Sequence, residues 1–138
     1  MIPVFQTIVD KELGDCTRAC IASILELPID AVPNLARFPK NWYLVMVAFL
    51  RALDYDYYGT GFPHSHKIKE YTVKGFVIAS VKSRTFEGVN HSIVINSKGI
   101  CVHDPNPNQA WKGINVKKTK DLQHWMLIDV KGKLECDR

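Results

Sequence analysis

Three reactive side chains lie at the boundaries of predicted elements, far apart in the chain. Cys16 opens an apolar helical segment, His91 opens a predicted strand, and Asp104 follows the next predicted strand. A thiol, an imidazole and a carboxylate in this order are the parts of a nucleophilic triad, in which the histidine takes the thiol proton and the carboxylate orients the ring. The sequence therefore predicts chemistry at a carbonyl carbon and leaves the substrate open.

The position of Cys16 favours ionisation of its thiol. A free thiol with a pKa of ~8.5 is mostly protonated at neutral pH, whereas a helix N-terminus favours negative charge by roughly 0.3–1 kcal/mol. Asp15, which we expect to cap the helix, opposes this effect, so a histidine partner is needed. An isolated cysteine is more often a small buried residue. The downstream histidine and aspartate favour the catalytic interpretation for Cys16, whereas Cys20, one turn later, is expected in the core.

His91 is the preferred base because its ring, at a strand start, could reach a helix N-terminus. His103 is the alternative and is adjacent to Asp104. Neighbouring strand residues point to opposite faces, so His103 and Asp104 should not both face the site. A hairpin centred near Ser97 is expected to place a residue near position 103 or 104 opposite His91, where a carboxylate can fix the ring tautomer. The other interpretation of Asp104 is a turn-forming residue before Pro105.

An acyl-transfer site also needs hydrogen-bond donors for the oxygen that becomes negative on the substrate. The backbone N–H of Cys16 is one expected donor. The side chain of Gln6, on an extended segment that must pass the helix start, is the second candidate, and a solvent-facing glutamine is an equal alternative. Asp15, Asn90 and Trp111 are assigned substrate contacts.

The elements that must position these residues divide into helices first and strands afterwards. Apolar periodicity predicts helices over Cys16–Leu27 and Lys40–Leu53, with a short helical turn between them. Apolar runs and turn residues predict these strands: a short one near Tyr55–Tyr58, then Phe76–Val81, Ser92–Ile95, Ile100–His103 and Trp125–Val130. We therefore predict an α+β fold with N-terminal helices packed on an antiparallel sheet, in one domain over residues 1–138.

The composition is that of an ordinary globular protein, with 46% hydrophobic residues and a net charge of +4. No apolar run approaches the ~18 residues of a membrane span, and no signal-peptide pattern opens the chain, so we expect a cytoplasmic protein without membrane contact. Several late lysines could attract nucleic acid or an acidic partner. Because no nucleic-acid motif accompanies them, a solvated face is the preferred interpretation. The sequence carries no indication of an oligomeric state.

No metal or organic cofactor is expected. The four cysteines include no Cys-x-x-Cys pair of the kind that binds zinc. His64 and His66 could bind a metal together with His103 or Asp104, but loop histidines of this kind are more often exposed. Trp42, Tyr43 and Trp125 could line a substrate groove, but Trp42 and Trp125 are expected in the core.

The order of Gln, Cys, His and Asp resembles that of papain-like cysteine peptidases. It is most similar to the C39-type branch, the bacteriocin-processing peptidases and their relatives, in which an Asp-Cys-Gly-x-Ala-Cys stretch precedes a His-led strand and an Asp-Pro pair. The same chain also resembles small uncharacterised proteins of bacteria and phages. The stretches that carry the resemblance are Asp15–Cys20, His91–Val94 and Asp104–Pro105, with Thr17 in place of the family's glycine.

The resemblance implies a papain-like fold and a cysteine-nucleophile hydrolase. Such an enzyme cleaves a peptide, isopeptide or related amide bond through an acyl-enzyme and needs no cofactor, so a peptide or protein substrate is expected. Two alternatives stay open. The same triad could serve an acyltransferase or deamidase, or the fold could be a catalytically idle binding protein that acts on a host or phage partner.

Overall fold

The structure, a computed structural model, describes residues 1–12, 14–60 and 75–130. Within these residues, two α-helices come first, α1 (Cys16–Leu25) and α2 (Trp42–Ala52). The strands follow: β1 (Tyr55–Thr60), β2 (Val77–Lys82), β3 (Asn90–Ile95), β4 (Cys101–His103) and β5 (Leu122–Val130). The predicted α+β class is confirmed, and each predicted helix and strand has an observed counterpart.

The strands form one antiparallel sheet in the order β1-β5-β2-β3-β4. The last described strand, β5, lies between β1 and β2, so β1 is joined to the rest of the sheet through β5. β3 and β4 are joined by the predicted hairpin, in which the Asn96 side chain accepts hydrogen bonds from the backbone N–H groups of Lys98 and Ile100. Gly99 has a φ of 86°, a left-handed conformation that favours glycine in this turn.

The sheet is covered on both faces by apolar side chains. On one face, α1 packs against β3, and Ile21 and Ile24 join Val94 in a buried cluster. On the other face, Ile93 and Ile95 pack with Trp111. Because side chains alternate along a strand, burial of both faces explains why β3 is an unbroken apolar run after Ser92.

The ends of α1 differ from the prediction in two ways. The helix stops at Leu25 because Glu26 adopts the left-handed conformation, with its N–H bonded to the carbonyl of Ala22. At the other end, the prediction that Asp15 caps the helix is wrong, since its carboxylate makes no capping hydrogen bond. That carboxylate instead binds the preceding segment, through the backbone N–H of Ile8 and both donors of Thr7.

Helix α2 is less buried than its apolar periodicity suggests. Met46 and Leu50 lie in the core, whereas Trp42 is 40% exposed. The prediction that Trp42 is a core residue is therefore wrong, and the rest of this first turn is exposed as well, with Tyr43 at 49% and Leu44 at 66%. The side chain of Trp125 lies outside the described residues. In the described segments, no helix combines the length and the apolar character that crossing a membrane requires.

Candidate active site

Two residues at the open end of the β3–β4 hairpin form the most direct contact of the site. The Nε2 atom of His91 lies 2.7 Å from the Oδ1 atom of Asp104. In the ladder between β3 and β4, His103 pairs with Val94 and not with His91. Asp104 therefore contacts the His91 ring through its side chain. The register thus differs by a few residues from the expected one, in which a residue near 103 or 104 faces His91, and the predicted contact between His91 and Asp104 exists.

The carboxylate of Asp104 is held by the chain on both oxygens. Its Oδ1 also accepts a hydrogen bond from the N–H of Asn106 and its Oδ2 accepts one from the N–H of Trp111, each at 3.0 Å. The residue is 1% exposed. Burial raises the pKa of Asp104, but the hydrogen bonds from His91 and Trp111 outweigh this effect and hold the pKa below its ordinary value. Asp104 is thus a fixed negative charge against the ring.

Cys16 begins α1 and lies beside the same ring. Burial raises the pKa of the Cys16 thiol, but the hydrogen bond and the charge of His91, with hydrogen bonds from Ser92, outweigh it and lower the pKa. Burial lowers the pKa of His91, whereas hydrogen bonds to Asp104 and Cys16 raise it to about 9. The two shifts run in opposite directions, as expected for a thiolate beside an imidazolium. Because Nε2 contacts Asp104, Nδ1 is the ring nitrogen that serves Cys16.

His103, the alternative base, is engaged elsewhere. Its Nε2 atom lies 2.7 Å from the carbonyl oxygen of Val4, and its ring packs edge-on against Phe5. It is 3% exposed, and burial lowers its pKa. His103 therefore anchors the N-terminal segment, and its ring and the carboxylate of Asp104 have different partners, as the alternation of strand residues predicts.

Gln6 lies in the N-terminal segment that passes the start of α1. Its backbone N–H donates to the carbonyl of Pro105, and its Nε2 donates to the carbonyl of Ile8, both at 2.9 Å. The side chain borders the same narrow cavity as Cys16 and His91. An amide nitrogen has two protons, and the hydrogen bond to Ile8 uses one of them. Within the described chain, the buried Oε1 atom of Gln6 has no hydrogen-bond partner.

The three predicted substrate contacts have different surroundings. Asn90 is exposed and borders the cavities on both sides of Cys16. Asp15 borders the larger cavity, but it is 1% exposed and its carboxylate is occupied by Thr7 and Ile8. Neither buried oxygen of Asp15 is free for a substrate.

Trp111 does not reach the groove, contrary to the prediction. It is 1% exposed and packs into the cluster on the sheet face opposite α1. The guanidinium of Arg84 covers its ring at 4.0 Å from the centroid. The residue serves the site through its backbone N–H, which donates to Asp104. The loop after Asp104 places this N–H at the carboxylate and turns the indole into the core.

Two cavities meet at Cys16 and form a groove. The larger one, about 390 Å³, lies over the sheet and is bordered by apolar side chains, among them Leu35, Trp42 and Met126, and by polar ones from β2, β3 and β5. The smaller one, about 80 Å³, contains Gln6 and His91. Cys16 therefore lies between two cavities of different size and lining.

Sequence reasoning missed one residue of this groove and preferred the core for another. Ser92, next to His91, was treated only as part of a strand, yet its hydroxyl lies 2.7 Å from that of Thr17 and it contributes to the low pKa of Cys16. Alternation along β3 is a signal that could have found it, because residues 90 and 92 share a face. Trp42 borders the groove, which is the alternative that the sequence offered beside the preferred core position, and its exposure depends on how α2 lies against the sheet.

Within residues 1–12, 14–60 and 75–130, no group of three or more His, Cys, Asp or Glu side chains could hold a metal ion. His64 and His66, the candidate ligands named from the sequence, lie outside the described residues. Cys16, Cys20 and Cys101 are free thiols. Cys20 is fully buried, as predicted, and burial raises the pKa of its thiol well above the ordinary value.

Comparison with known proteins identifies no relative of this chain. No family model, no curated protein and no solved structure matches it. The functional argument therefore rests on the geometry and electrostatics of the site.

Proposed function

We propose that the protein is a cysteine-nucleophile hydrolase with a papain-like fold, related to the C39-type peptidases, that cleaves a peptide, isopeptide or related amide bond. The observation that carries the proposal is the arrangement of Cys16, His91 and Asp104. A buried carboxylate lies 2.7 Å from the ring, the pKa of the ring is raised to about 9, and the pKa of the adjacent thiol is lowered. A structural cysteine has no need of this arrangement.

The proposed reaction begins with the thiolate of Cys16 attacking the substrate carbonyl carbon. The carbonyl oxygen becomes negative and accepts hydrogen bonds from the Cys16 N–H and the free Nε2 proton of Gln6. The C–N bond then breaks as Nδ1 of His91 gives its proton to the departing amine. This leaves an acyl group on Cys16 and a neutral imidazole that Asp104 holds in place.

Water completes the cycle in the hydrolytic version. Nδ1 of His91 takes a proton from the water as its oxygen attacks the acyl carbon, and the C–S bond breaks to return the thiolate. An amine in place of water would give acyl transfer. Attack on a glutamine side-chain amide, followed by water, would give deamidation.

The groove supports an extended peptide or protein as the substrate. On the side of the larger cavity, Leu35, Trp42 and Met126 offer apolar contact, and Trp42 is exposed enough to be covered by a bound chain. An apolar side chain of the substrate is the natural occupant, because binding would remove apolar surface on both partners from water. We also assign the protein to the cytoplasm, where a reactive thiol stays reduced.

The proposal is tested with a diverse peptide library, read by mass spectrometry, and the purified protein. We expect cleavage that falls by roughly 10³-fold or more in Cys16→Ala and in His91→Ala, with the fold retained. Cys101→Ala is the matched control, because Cys101 is a buried thiol on β4. Cleavage that persists in Cys16→Ala would contradict the proposal.

The same assay separates the alternatives that share the triad. Added hydroxylamine or a primary amine captures the acyl group if transfer competes with hydrolysis, and a glutamine-to-glutamate mass change reports deamidation. If no peptide is altered, and Cys16→Ala retains the full effect of the protein on its host cell, the idle binding protein is the correct interpretation.

A further inference from the structure

We propose that Asp15 is a positioning residue that holds the Gln6 amide at the oxyanion site. The inference rests on the proposed function, in which Gln6 stabilises the negative oxygen. Asp15 comes directly before the nucleophile, yet its negative charge opposes the formation of a thiolate at Cys16. A buried carboxylate at this position therefore needs a different explanation.

The Asp15 carboxylate binds the N-terminal segment on both of its oxygens. Oδ2 accepts hydrogen bonds from the hydroxyl of Thr7 at 2.7 Å and from its N–H at 3.3 Å, and Oδ1 accepts one from the N–H of Ile8 at 3.0 Å. A guanidinium nitrogen of Arg18 lies 3.6 Å from Oδ2 and offsets the charge. The carboxylate is thus satisfied by residues 7 and 8 and by one cation.

Ile8 connects this contact to Gln6. Its carbonyl oxygen accepts a hydrogen bond from Nε2 of Gln6 at 2.9 Å and one from the N–H of Asp15 at 3.3 Å. The position of the Gln6 amide therefore depends on Ile8, and the position of Ile8 depends on both the backbone and the side chain of Asp15.

The opposite side of Gln6 is fixed as well, because its N–H donates to the carbonyl of Pro105, next to Asp104. Gln6 is thereby tied to the residues that adjoin both the nucleophile and the orienting carboxylate. Oxyanion donors stabilise a transition state only when they are held in place beforehand. Gly14 contributes to the close fit, since a Cβ atom there would lie 2.6 Å from the carbonyl oxygen of Asp10.

Two reactions of Cys16 separate positioning of Gln6 from activation of the thiol. Acetylation by p-nitrophenyl acetate forms the S–C bond through a tetrahedral oxyanion and then releases p-nitrophenolate. Alkylation by iodoacetamide forms an S–C bond as iodide leaves, and no oxyanion develops. Loss of an oxyanion donor therefore slows acetylation and leaves alkylation unchanged.

The experiment measures both rates at Cys16 by peptide mapping. We expect Asp15→Asn to lower the ratio of acetylation to alkylation by roughly 10- to 100-fold, since loss of one oxyanion donor costs about 10²–10³ in rate. In a Gln6→Ala background the same substitution should have little further effect, because the two residues act through one interaction. Asp30→Asn is the matched control, since Asp30 also faces Arg18, at 3.7 Å, but is almost fully exposed.

Thr7→Val serves as the second variant if Asp15→Asn does not fold. It removes one hydrogen bond to the same carboxylate and should lower the ratio in the same direction, again only when Gln6 is present. An unchanged ratio, or an equal fall in the Gln6→Ala background, would overturn the positioning role while the proposed function stands. A wild-type Cys16 that is unreactive below pH 7 in both reactions would instead overturn the proposed function.

Discussion

Replacement of Asp104 by asparagine should lower the pKa of His91 strongly. The raised pKa, from 6.5 to about 9, corresponds to about 3 kcal/mol in favour of the charged ring. The hydrogen bond to Asp104 is the largest of the interactions that raise it. An opposite charge at this distance shifts a pKa by roughly 1–3 units, so Asp104→Asn should lower the pKa of His91 by that amount.

The asparagine preserves much of the geometry, which makes the test specific for charge. With its oxygen in the position of Oδ1, it can still accept the hydrogen bonds from His91 and Asn106 and loses only the one from Trp111, and its volume is nearly the same. The titration is followed by the imidazole Cε1–H signals in NMR spectra from pH 5 to pH 10. Asp121→Asn, which removes the carboxylate just before β5, is the matched control, because Asp121 does not contribute to the raised pKa of His91.

The outcome decides between two explanations of the ring's charge. A wild-type ring that titrates near 6.5, or a pKa that stays the same in Asp104→Asn, would refute the reasoning from the 2.7 Å contact. A fall in Asp104→Asn together with an unchanged value in Asp121→Asn would establish that the carboxylate sets the charge of His91.

Three further predictions concern the thiols and the stability of the fold. Ser92→Ala should raise the pKa of Cys16 and slow its alkylation at pH 6 by a few-fold, and equal rates would contradict the contribution of Ser92 to the thiolate. Among the described thiols, peptide mapping of the native protein after iodoacetamide treatment should find rapid labelling at Cys16 alone. Burial raises the pKa of Cys20 well above its ordinary value and that of Cys101 to about 12, so rapid labelling at either thiol would be inconsistent with this burial. The free energy of unfolding in urea should vary little with pH between 6.5 and about 9, because the stability from the raised pKa of His91 is lost as the pH rises through this window while the stability from the lowered pKa of Cys16 is gained. A steep monotonic change through the window would argue against the pair.

Much of the fold could be predicted from local patterns. Helical periodicity placed α1 and α2 within two residues of their observed starts, and the apolar runs located the strands. The strand order could not be predicted, because β5 enters between β1 and β2 through pairing of residues far apart in sequence. The apolar periodicity also does not predict the left-handed conformation of Glu26, which ends α1 at Leu25.

The candidate triad could be proposed because each of its members stands at the end of an element. Cys16 begins a helix, His91 lies near the start of a strand, and Asp104 follows one. The surrounding roles depend on tertiary packing and were harder to assign. Trp111 occupies a loop next to Asp104, yet its ring is turned into the core and only its N–H meets the site.

Asp15 illustrates the same limit at the start of α1. An aspartate before a helix usually caps it, and the sequence gives no reason to expect otherwise. Here the donors of Thr7 and Ile8 compete successfully for the carboxylate because the N-terminal segment runs past the helix start. The choice of the carboxylate between the helix N–H groups and these donors depends on the path of residues 7 and 8 in space, which the residues around position 15 do not specify.

The thiolate–imidazolium pair is tested most directly by the rate at which iodoacetamide alkylates Cys16 as a function of pH. The wild type is compared with His91→Ala and with His124→Ala, in which the lost histidine borders the groove but does not contribute to the shifted pKa of Cys16. Rapid labelling that persists well below pH 7 in the wild type and in His124→Ala, and is lost in His91→Ala, is the predicted result. Slow labelling that rises only near pH ~8–9 and is the same in all three proteins would contradict the pair.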